Sequence, residues 1–200
     1  MRGDLRDILN IPKEATVRTS HGGSDSFKPP FLHEMILKAL SRHKDLYFVF
    51  MNFAPFVQHK RLIFFPGNSD INYKMQFINT ADGLIHARGI GESFGLAFSE
   101  FLIKNKQVIT YAMPPQQNHI KILGDKALLY KGKVDLESLL LRFNRGVQNE
   151  KTGMLTVKNF HLKPSRLSLK MFLSGNHPLI PNLSELWTRL QLRDIAVFAR

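Results

Sequence analysis

The sequence predicts a doubly wound α/β fold, in which helices cover both faces of a mostly parallel sheet. From Ala15 onward, short runs rich in β-branched and aromatic residues alternate with stretches of helical periodicity. The predicted order of elements is β-α-β-β-α-β-α-β-α-β-α, and such alternation is typical of parallel strands joined by helical crossovers. The 200 residues are 44% hydrophobic and 10% aromatic, which is enough for a packed core.

Each strand in this prediction is a short apolar run, and each helix has apolar residues three or four positions apart. In the first half, strands are predicted at 15–20 (ATVRTS), 46–53 (LYFVFMNF) and 61–67 (RLIFFPG), with an amphipathic helix at 31–43. In the second half, helices are predicted at 71–81, 93–105, 117–125 and 135–144, with strands at 83–88, 107–112 and 126–132.

The domain organisation follows from where this alternation stops. Residues 1–14 are interpreted as a lead-in, 15–145 as a ligand-binding domain and 146–200 as a basic C-terminal extension. The segment RGVQNEKTG (145–153) is the predicted boundary. A last helix is predicted at NLSELWTRLQLRDIAVFA, capped by Asn182 or Ser184.

The formal net charge of +12 predicts an anionic partner, and half of this charge lies in residues 151–200. This partner could be nucleic acid, a phosphorylated small molecule or an acidic membrane surface, and the charge alone does not choose among them. The absence of cysteine excludes disulfides and thiolate metal sites. No apolar run is long enough for a membrane span, and the charged N-terminus does not resemble a signal peptide, so we expect a cytoplasmic protein.

In doubly wound sheets, ligands bind beyond the carboxyl ends of the strands, so the loops to inspect are SHGGSDSFKPP, NFAPFVQHK, FPGNSD, ARGIGES and MPPQQN. The loop ARGIGES is the most informative of them. A helix predicted to start near Phe94 follows it, so the backbone N–H groups of Phe94, Gly95 and Leu96 would face the crevice. A helix N-terminus favours phosphate, and Gly95 lets a ligand approach the backbone closely.

Two glutamates accompany this helix, Glu92 before it and Glu100 within it. Eight residues of helix span about 12 Å, so the two carboxylates cannot share one proton or one metal ion. They must serve different groups of a ligand. A nucleotide sugar suits this arrangement because it has hydroxyls on either side of a diphosphate, and a carboxylate accepts hydrogen bonds from hydroxyls.

The run ESFGLAFSE, followed by an apolar segment and NKQVITY, resembles the E-x7-E signature of retaining GT-B glycosyltransferases, in particular those of family 4. The resemblance covers roughly residues 15–145 and implies a Rossmann-like, donor-binding GT-B half with a helical extension. It implies that Glu92 holds the transferred sugar, Glu100 the ribose, and the amides of Phe94 to Leu96 the diphosphate, with Ser93 in the same turn. It implies neither a cofactor nor a metal, and the chain has no DxD motif.

Basic residues complete the predicted site. His86 and Arg88 end the strand before Glu92, and His86 joins Glu92 as a catalytic candidate; a buried structural histidine and a solvated arginine are the alternatives. The first loop of the family supplies an Arg and a Lys to the diphosphate. Here Ser20 or His21 takes the arginine position, and Arg18 and Lys28 are the nearest bases.

The predicted function is metal-independent, hexosyltransferase-like transfer from a nucleotide-sugar donor to a glycan, lipid or protein acceptor. Since GT-B enzymes have two such domains, a separate acceptor-domain polypeptide is an expected partner, and the chain alone is expected to be poorly active. Lys163, Arg166 and Lys170 suggest a solvated helix face first and a peripheral membrane contact second. The alternatives are a degenerate sugar-nucleotide-binding subunit and a nucleic-acid-binding module, although no RNA- or DNA-recognition motif supports the latter.

Overall fold

The computed structural model describes residues 3–22, 31–92 and 95–142. The chain separates into two compact units, Met1–Gly153 and Met154–Arg200, and the second lies wholly outside the described residues. The predicted basic tail and the predicted last helix therefore lie outside this part of the chain. The domain boundaries predicted at residues 14 and 145 stay predictions.

Strands and helices follow one another in the order that the sequence predicts. The strands of the described residues are β1 (Thr16–His21), β2 (Leu46–Met51), β3 (Leu62–Phe65), β4 (Gly83–His86), β5 (Gln107–Tyr111) and β6 (Ala127–Tyr130). The α-helices are α1 (Leu32–Arg42), α2 (Ile71–Thr80), α3 (Leu96–Ile103), α4 (Asn118–Leu123) and α5 (Lys133–Arg142). Several strands end a few residues earlier than predicted.

The sheet has the strand order β3-β2-β1-β4-β5-β6, and every neighbouring pair is parallel. The chain builds outward from β1 to β3, returns to the other side of β1, and continues from β4 to β6. The strand order therefore reverses between β1 and β4, which opens a crevice at their carboxyl ends. The doubly wound Rossmann-like fold that the sequence predicts is confirmed.

Helices pack against both faces of this sheet. Ile85 of β4 belongs to a hydrophobic cluster with Ile36 of α1 and Leu136 of α5. The next residue of β4, His86, contacts Phe98 of α3, with ring centroids 6.1 Å apart. Because neighbouring strand residues point to opposite faces, α1 and α5 cover one face and α3 covers the other.

Helix α3 is shorter than predicted. The helical periodicity predicts residues 93–105 with a start near Phe94, whereas α3 spans Leu96–Ile103. Gly95 at its N-cap has a φ of 68°, a left-handed conformation that cannot continue into a helix. At the other end, Asn105 has a φ of 53°, which closes the helix.

The segment before β1 packs against the amino ends of β1 and β4. Arg6 donates hydrogen bonds to Asp82 Oδ2 at 2.9 Å and to the Ala15 carbonyl at 2.7 Å. The same oxygen of Asp82 accepts the Val17 N–H at 2.8 Å. Arg6 is only 5% exposed, so this ion pair is part of the packed interior. It lies at the opposite end of β4 from the crevice.

Candidate functional site

A cavity of about 250 Å³ opens at the carboxyl ends of β1 and β4. Its walls are the end of β1 (20–22), the end of β4 with the residues after it (84–88), Glu92, and Ala97 of α3. This is the point of strand-order reversal, where doubly wound sheets bind their ligands. The predicted site residues His86, Arg88 and Glu92 meet in this crevice.

The turn between β4 and α3 sets the position of Glu92. Gly91 has a φ of 81°, and a Cβ there would overlap the carbonyl oxygen of Gln116. The Gln116 N–H donates to the Ile90 carbonyl at 2.9 Å, which ties the turn to the loop after β5. The two loops approach so closely that position 91 requires glycine.

The Glu92 carboxylate is flanked by two proton donors. Arg88 Nη1 donates to Glu92 Oε1 at 2.8 Å, and His86 Nε2 faces the same oxygen at 3.7 Å. Burial alone would raise the pKa of Glu92, but His86 and Arg88 together lower it below its ordinary value. Glu92 is therefore ionised at neutral pH and can accept hydrogen bonds from ligand hydroxyls.

A chain of hydrogen bonds runs away from the crevice behind His86. His86 Nδ1 lies 3.0 Å from Thr110 Oγ1, which lies 3.1 Å from His119 Nε2. The chain returns to the turn because the Glu92 N–H donates to His119 Nδ1 at 3.3 Å. Burial, followed by the charge of His86, lowers the pKa of His119 to about 4, so His119 is neutral at pH 7.

Glu100 has partners of its own. Lys74 Nζ of α2 lies 2.7 Å from Glu100 Oε1, and His21 Nε2 lies 3.2 Å from Oε2. Burial would raise the pKa of Glu100, but His21 and Lys74 lower it. His21 lines the crevice, whereas Glu100 is not among the described lining residues. The two glutamates thus contact different basic side chains.

The structure does not bring Arg18 into the crevice. Arg18 lies within β1 and is fully buried, and a Cβ on Gly83 of β4 would overlap its guanidinium. Burial lowers the pKa of Arg18, and the negative charge of Asp82 offsets only part of this shift. Because Arg18 is buried against β4, its guanidinium is not available to a phosphate at the carboxyl ends of the strands.

The remaining predicted residues lie around the start of α3 or outside the described chain. Ser93, Phe94 and Lys28 belong to the residues that the structure does not describe. Gly95 and the backbone of Leu96 begin α3, and a Cβ on Gly95 would lie 3.0 Å from Glu92 Cγ. Gly95 therefore allows Glu92 and the helix start to approach each other.

Three polar residues of this site were missed by the sequence analysis: Thr110, His119 and Lys74. Thr110 pairs in register with His86 across β4 and β5, so the sheet order would have placed it beside that histidine. His119 directly follows MPPQQN, one of the loops predicted to lie at the crevice, so the sheet edge pointed to its neighbourhood. Lys74 lies on α2 without any motif, and for it no sequence signal indicates the site.

The phenylalanines near the crevice pack within the fold. The sequence allows base stacking or core packing for Phe53, Phe56 and Phe65. Phe53 and Phe56 pack against the hydrophobic cluster, and Phe56 stacks on His33 with centroids 3.8 Å apart. Phe65 meets Tyr73 edge to face at 6.1 Å. These contacts favour the packing interpretation.

Within residues 3–22, 31–92 and 95–142, no group of three or more acidic or histidine side chains is arranged to hold a metal ion. The helices of the same residues include none that is long and apolar enough to cross a membrane.

No protein-family model matches this sequence, and no curated protein matches it. Solved structures do match its fold. HepE from Anabaena, in complex with UDP-glucose, superposes with a TM-score of 0.51 at 15% identity, covering 68% of this chain and 40% of HepE. WaaG, a glycosyltransferase involved in lipopolysaccharide biosynthesis, gives 0.51 at 16% identity, with 68% and 40% covered.

The C-terminal domain of LpcC, a group 1 family glycosyl transferase from Francisella tularensis, matches with a TM-score of 0.52 at 16% identity. The match covers 70% of this chain and 80% of that domain. This chain thus spans about 40% of the length of HepE and WaaG but most of an isolated C-terminal domain. The described residues have the fold of the C-terminal domain of a GT-B glycosyltransferase.

Proposed function

We propose that this chain is the donor-binding part of a retaining glycosyltransferase that uses a nucleoside diphosphate sugar. One observation carries the proposal: the ionised carboxylate of Glu92 faces His86 Nε2 in the crevice where the strand order reverses. A carboxylate beside an N–H donor suits a sugar hydroxyl, which donates to one and accepts from the other. The matched fold of HepE, a structure with UDP-glucose, supports the same ligand class.

In this proposal Glu92 and His86 hold and orient the transferred sugar as the catalytic residues. Arg88 supplies positive charge to the diphosphate and His21 a ring N–H, together with the backbone amides of Gly95 and Leu96 at the start of α3. Glu100 binds the ribose once the ligand replaces one of its contacts with His21 and Lys74. Donor binding is metal-independent, because protein cations take the place of a divalent ion.

The acceptor, a glycan, lipid or protein, is held by a second domain or polypeptide. GT-B transfer places the acceptor hydroxyl against the anomeric carbon, which needs groups on the far side of the donor. A cytoplasmic location and contact with a membrane surface through the basic tail belong to the same proposal.

The test is calorimetric titration of the full chain with a panel of nucleotide sugars, the matching free nucleotides and a single-stranded oligonucleotide. We expect one nucleotide sugar to bind and the oligonucleotide not to bind. Glu92→Gln is expected to weaken nucleotide-sugar binding about tenfold and to spare the free nucleotide, since one charge-assisted hydrogen bond is lost. Glu34→Gln, on the exposed surface of α1, is the matched control. Equal losses for both ligands would contradict the assignment of Glu92 to the sugar.

A degenerate sugar-nucleotide-binding subunit is the second candidate. It is favoured by the burial of Arg18, which leaves a histidine, His21, at the β1 end of the crevice. Donor binding without transfer, in the presence of every candidate acceptor and partner, would select this alternative.

A further inference from the structure

His86 is almost completely buried, yet one of its ring nitrogens is not satisfied by the described part of the chain. The residue is 6% exposed and lines the crevice. Its Nε2 has no hydrogen-bond partner there, and it faces Glu92 Oε1 at 3.7 Å, too far for a direct hydrogen bond. A buried polar atom of this kind needs an explanation, and a ligand atom between the two residues is one.

The hydrogen bonds behind His86 decide which of its nitrogens carries the proton. The Glu92 N–H is shared between His119 Nδ1 and the Gln116 carbonyl oxygen, at 3.3 Å from each. With Nδ1 as an acceptor, the proton of the neutral His119 ring is on Nε2 and is donated to Thr110 Oγ1. The hydroxyl proton of Thr110, a fully buried residue, is then donated to His86 Nδ1. The proton of a neutral His86 ring is therefore on Nε2, which faces the crevice.

We propose that Thr110 and His119 are positioning residues that hold His86 with its Nε2–H directed into the crevice, where His86 and Glu92 together bind one hydroxyl group of the transferred sugar. This inference rests on the proposed function. A hydroxyl fits because it accepts the hydrogen bond of His86 and donates its own proton to Glu92. A phosphate oxygen does not fit, since it has no proton to donate and its charge repels the carboxylate.

His119 connects both members of this pair. Through Thr110 it orients the ring of His86, and its main chain and ring also hold Glu92, since the His119 N–H donates to the Glu92 carbonyl at 3.3 Å. The donor and the acceptor of the hydroxyl site are therefore set by one residue of α4. This arrangement selects sugars with a hydroxyl at the bound position and rejects the corresponding deoxy sugar.

The first experiment reads the proton position directly. The full chain is labelled with ¹⁵N-histidine, and long-range ¹H–¹⁵N spectra of the ligand-free protein report the tautomer of His86. We expect the Nε2–H tautomer in the wild type and in Thr110→Ser, and a mixture of tautomers in Thr110→Val. Thr19→Val, which removes a buried strand hydroxyl outside the crevice lining, is the matched control. An unchanged His86 spectrum in Thr110→Val would overturn the positioning role.

The second experiment measures affinity for the nucleotide sugar identified by calorimetry, its deoxy analogue and the free nucleotide. Thr110→Val is expected to weaken nucleotide-sugar binding about threefold to tenfold, to leave free-nucleotide binding unchanged, and to be rescued by Thr110→Ser. Equal affinity of the wild type for sugar and deoxy analogues would overturn the hydroxyl site. If no nucleotide sugar binds the wild type, the proposed function and the hydroxyl site both fail, while the ligand-free spectra still decide the positioning role.

Discussion

Lys74 Nζ lies 2.7 Å from Glu100 Oε1, which joins α2 to α3 by an ion pair whose side chains are 18% and 12% exposed. His21 contacts the other carboxylate oxygen, so this single glutamate contacts basic side chains of two elements. The family resemblance implies a ribose-binding role for Glu100, and these contacts give it a structural one. In the folded chain Glu100 therefore contributes to stability as well.

Replacing Glu100 by Gln is expected to lower the free energy of unfolding by about 2 kcal/mol, because Lys74 and His21 lose a partly buried counter-charge. Glu34→Gln removes an ion pair with Lys133 whose side chains are more than half exposed, and is expected to cost less than about 0.5 kcal/mol. Urea unfolding of both variants measures the difference. Equal stabilities would mean that the pair at Glu100 is as weak as a surface pair.

Gly91→Ala is expected to destabilise the domain by about 2 to 4 kcal/mol, because the new Cβ overlaps the Gln116 carbonyl and the backbone is left-handed. Gly124 is also left-handed, with a φ of 55°, but a Cβ there meets nothing within 4 Å. With its ψ of −125°, Gly124 lies in a backbone region nearly exclusive to glycine, so Gly124→Ala should cost about 1 to 3 kcal/mol from the backbone alone. Thermal unfolding of both variants measures how much of the destabilisation at Gly91 comes from the clash with Gln116 and how much from the backbone conformation. Similar losses of stability in the two variants would show that the clash contributes nothing.

Stability is expected to fall as the pH decreases from about 6.5 to 4. The folded chain keeps His119 neutral with a pKa of about 4, while the unfolded chain takes up a proton near the ordinary value of 6.5. The unfolded state binds more protons in this window, so His119 stabilises the fold above about pH 6.5 and loses that contribution toward pH 4. Urea unfolding of the wild type and His119→Gln at several pH values measures it. Parallel pH profiles would show that His119 is not responsible.

Donor affinity is expected to stay within about twofold when EDTA is added, because Arg88 and His21 line the crevice and offer protein groups to the diphosphate in place of a metal ion. The measurement is a calorimetric titration in EDTA, repeated in magnesium. Loss of binding in EDTA would show that a metal ion completes the site and would contradict the metal-independent proposal.

The chain alone is expected to transfer sugar far more slowly than a typical enzyme kcat of about 10 per second. A donor held only by the crevice walls of the described residues would be exposed to water on its other side, so hydrolysis would compete with transfer. The measurement is a transfer assay with the matched donor and candidate acceptors, before and after addition of cell extract or neighbouring gene products. Fast transfer by the purified chain would refute the need for a second domain.

The fold was predictable because each strand and helix has a recognisable pattern of apolar residues within its own short segment of sequence. The apolar run LYFVFM and the amphipathic pattern of α1 need no tertiary information, and the alternation of the elements then implies parallel strands. The start of α3 was not predictable from periodicity. Gly95 adopts its left-handed conformation where the chain passes between Phe98 and Glu92, and that packing is not encoded in any local pattern.

The candidate site was predictable only where it follows a strand end. His86 ends β4, and Arg88 and Glu92 lie in the turn directly after it, so one motif and one sheet edge are enough to bring them together. Thr110 and His119 reach the same place from the next strand and the helix after it. Arg18 is close in sequence to the loop after β1, but it lies within the strand, and its side chain is buried away from the crevice.

The ion pair of Arg6 and Asp82 lies at one end of β4, and His86 lies at the other. Substitutions at the two ends of this four-residue strand are therefore expected to impair the protein in different ways. A variant at the Arg6 end loosens the closure of the sheet and lowers the amount of folded protein in a cell, while the molecules that do fold keep an intact crevice. A variant at the His86 end changes the crevice itself, and because His86 is buried and bonded to Thr110, it is expected to lower the amount of folded protein as well. Ligand affinity per folded molecule should therefore fall among natural variants at the His86 end and stay constant among those at the Arg6 end.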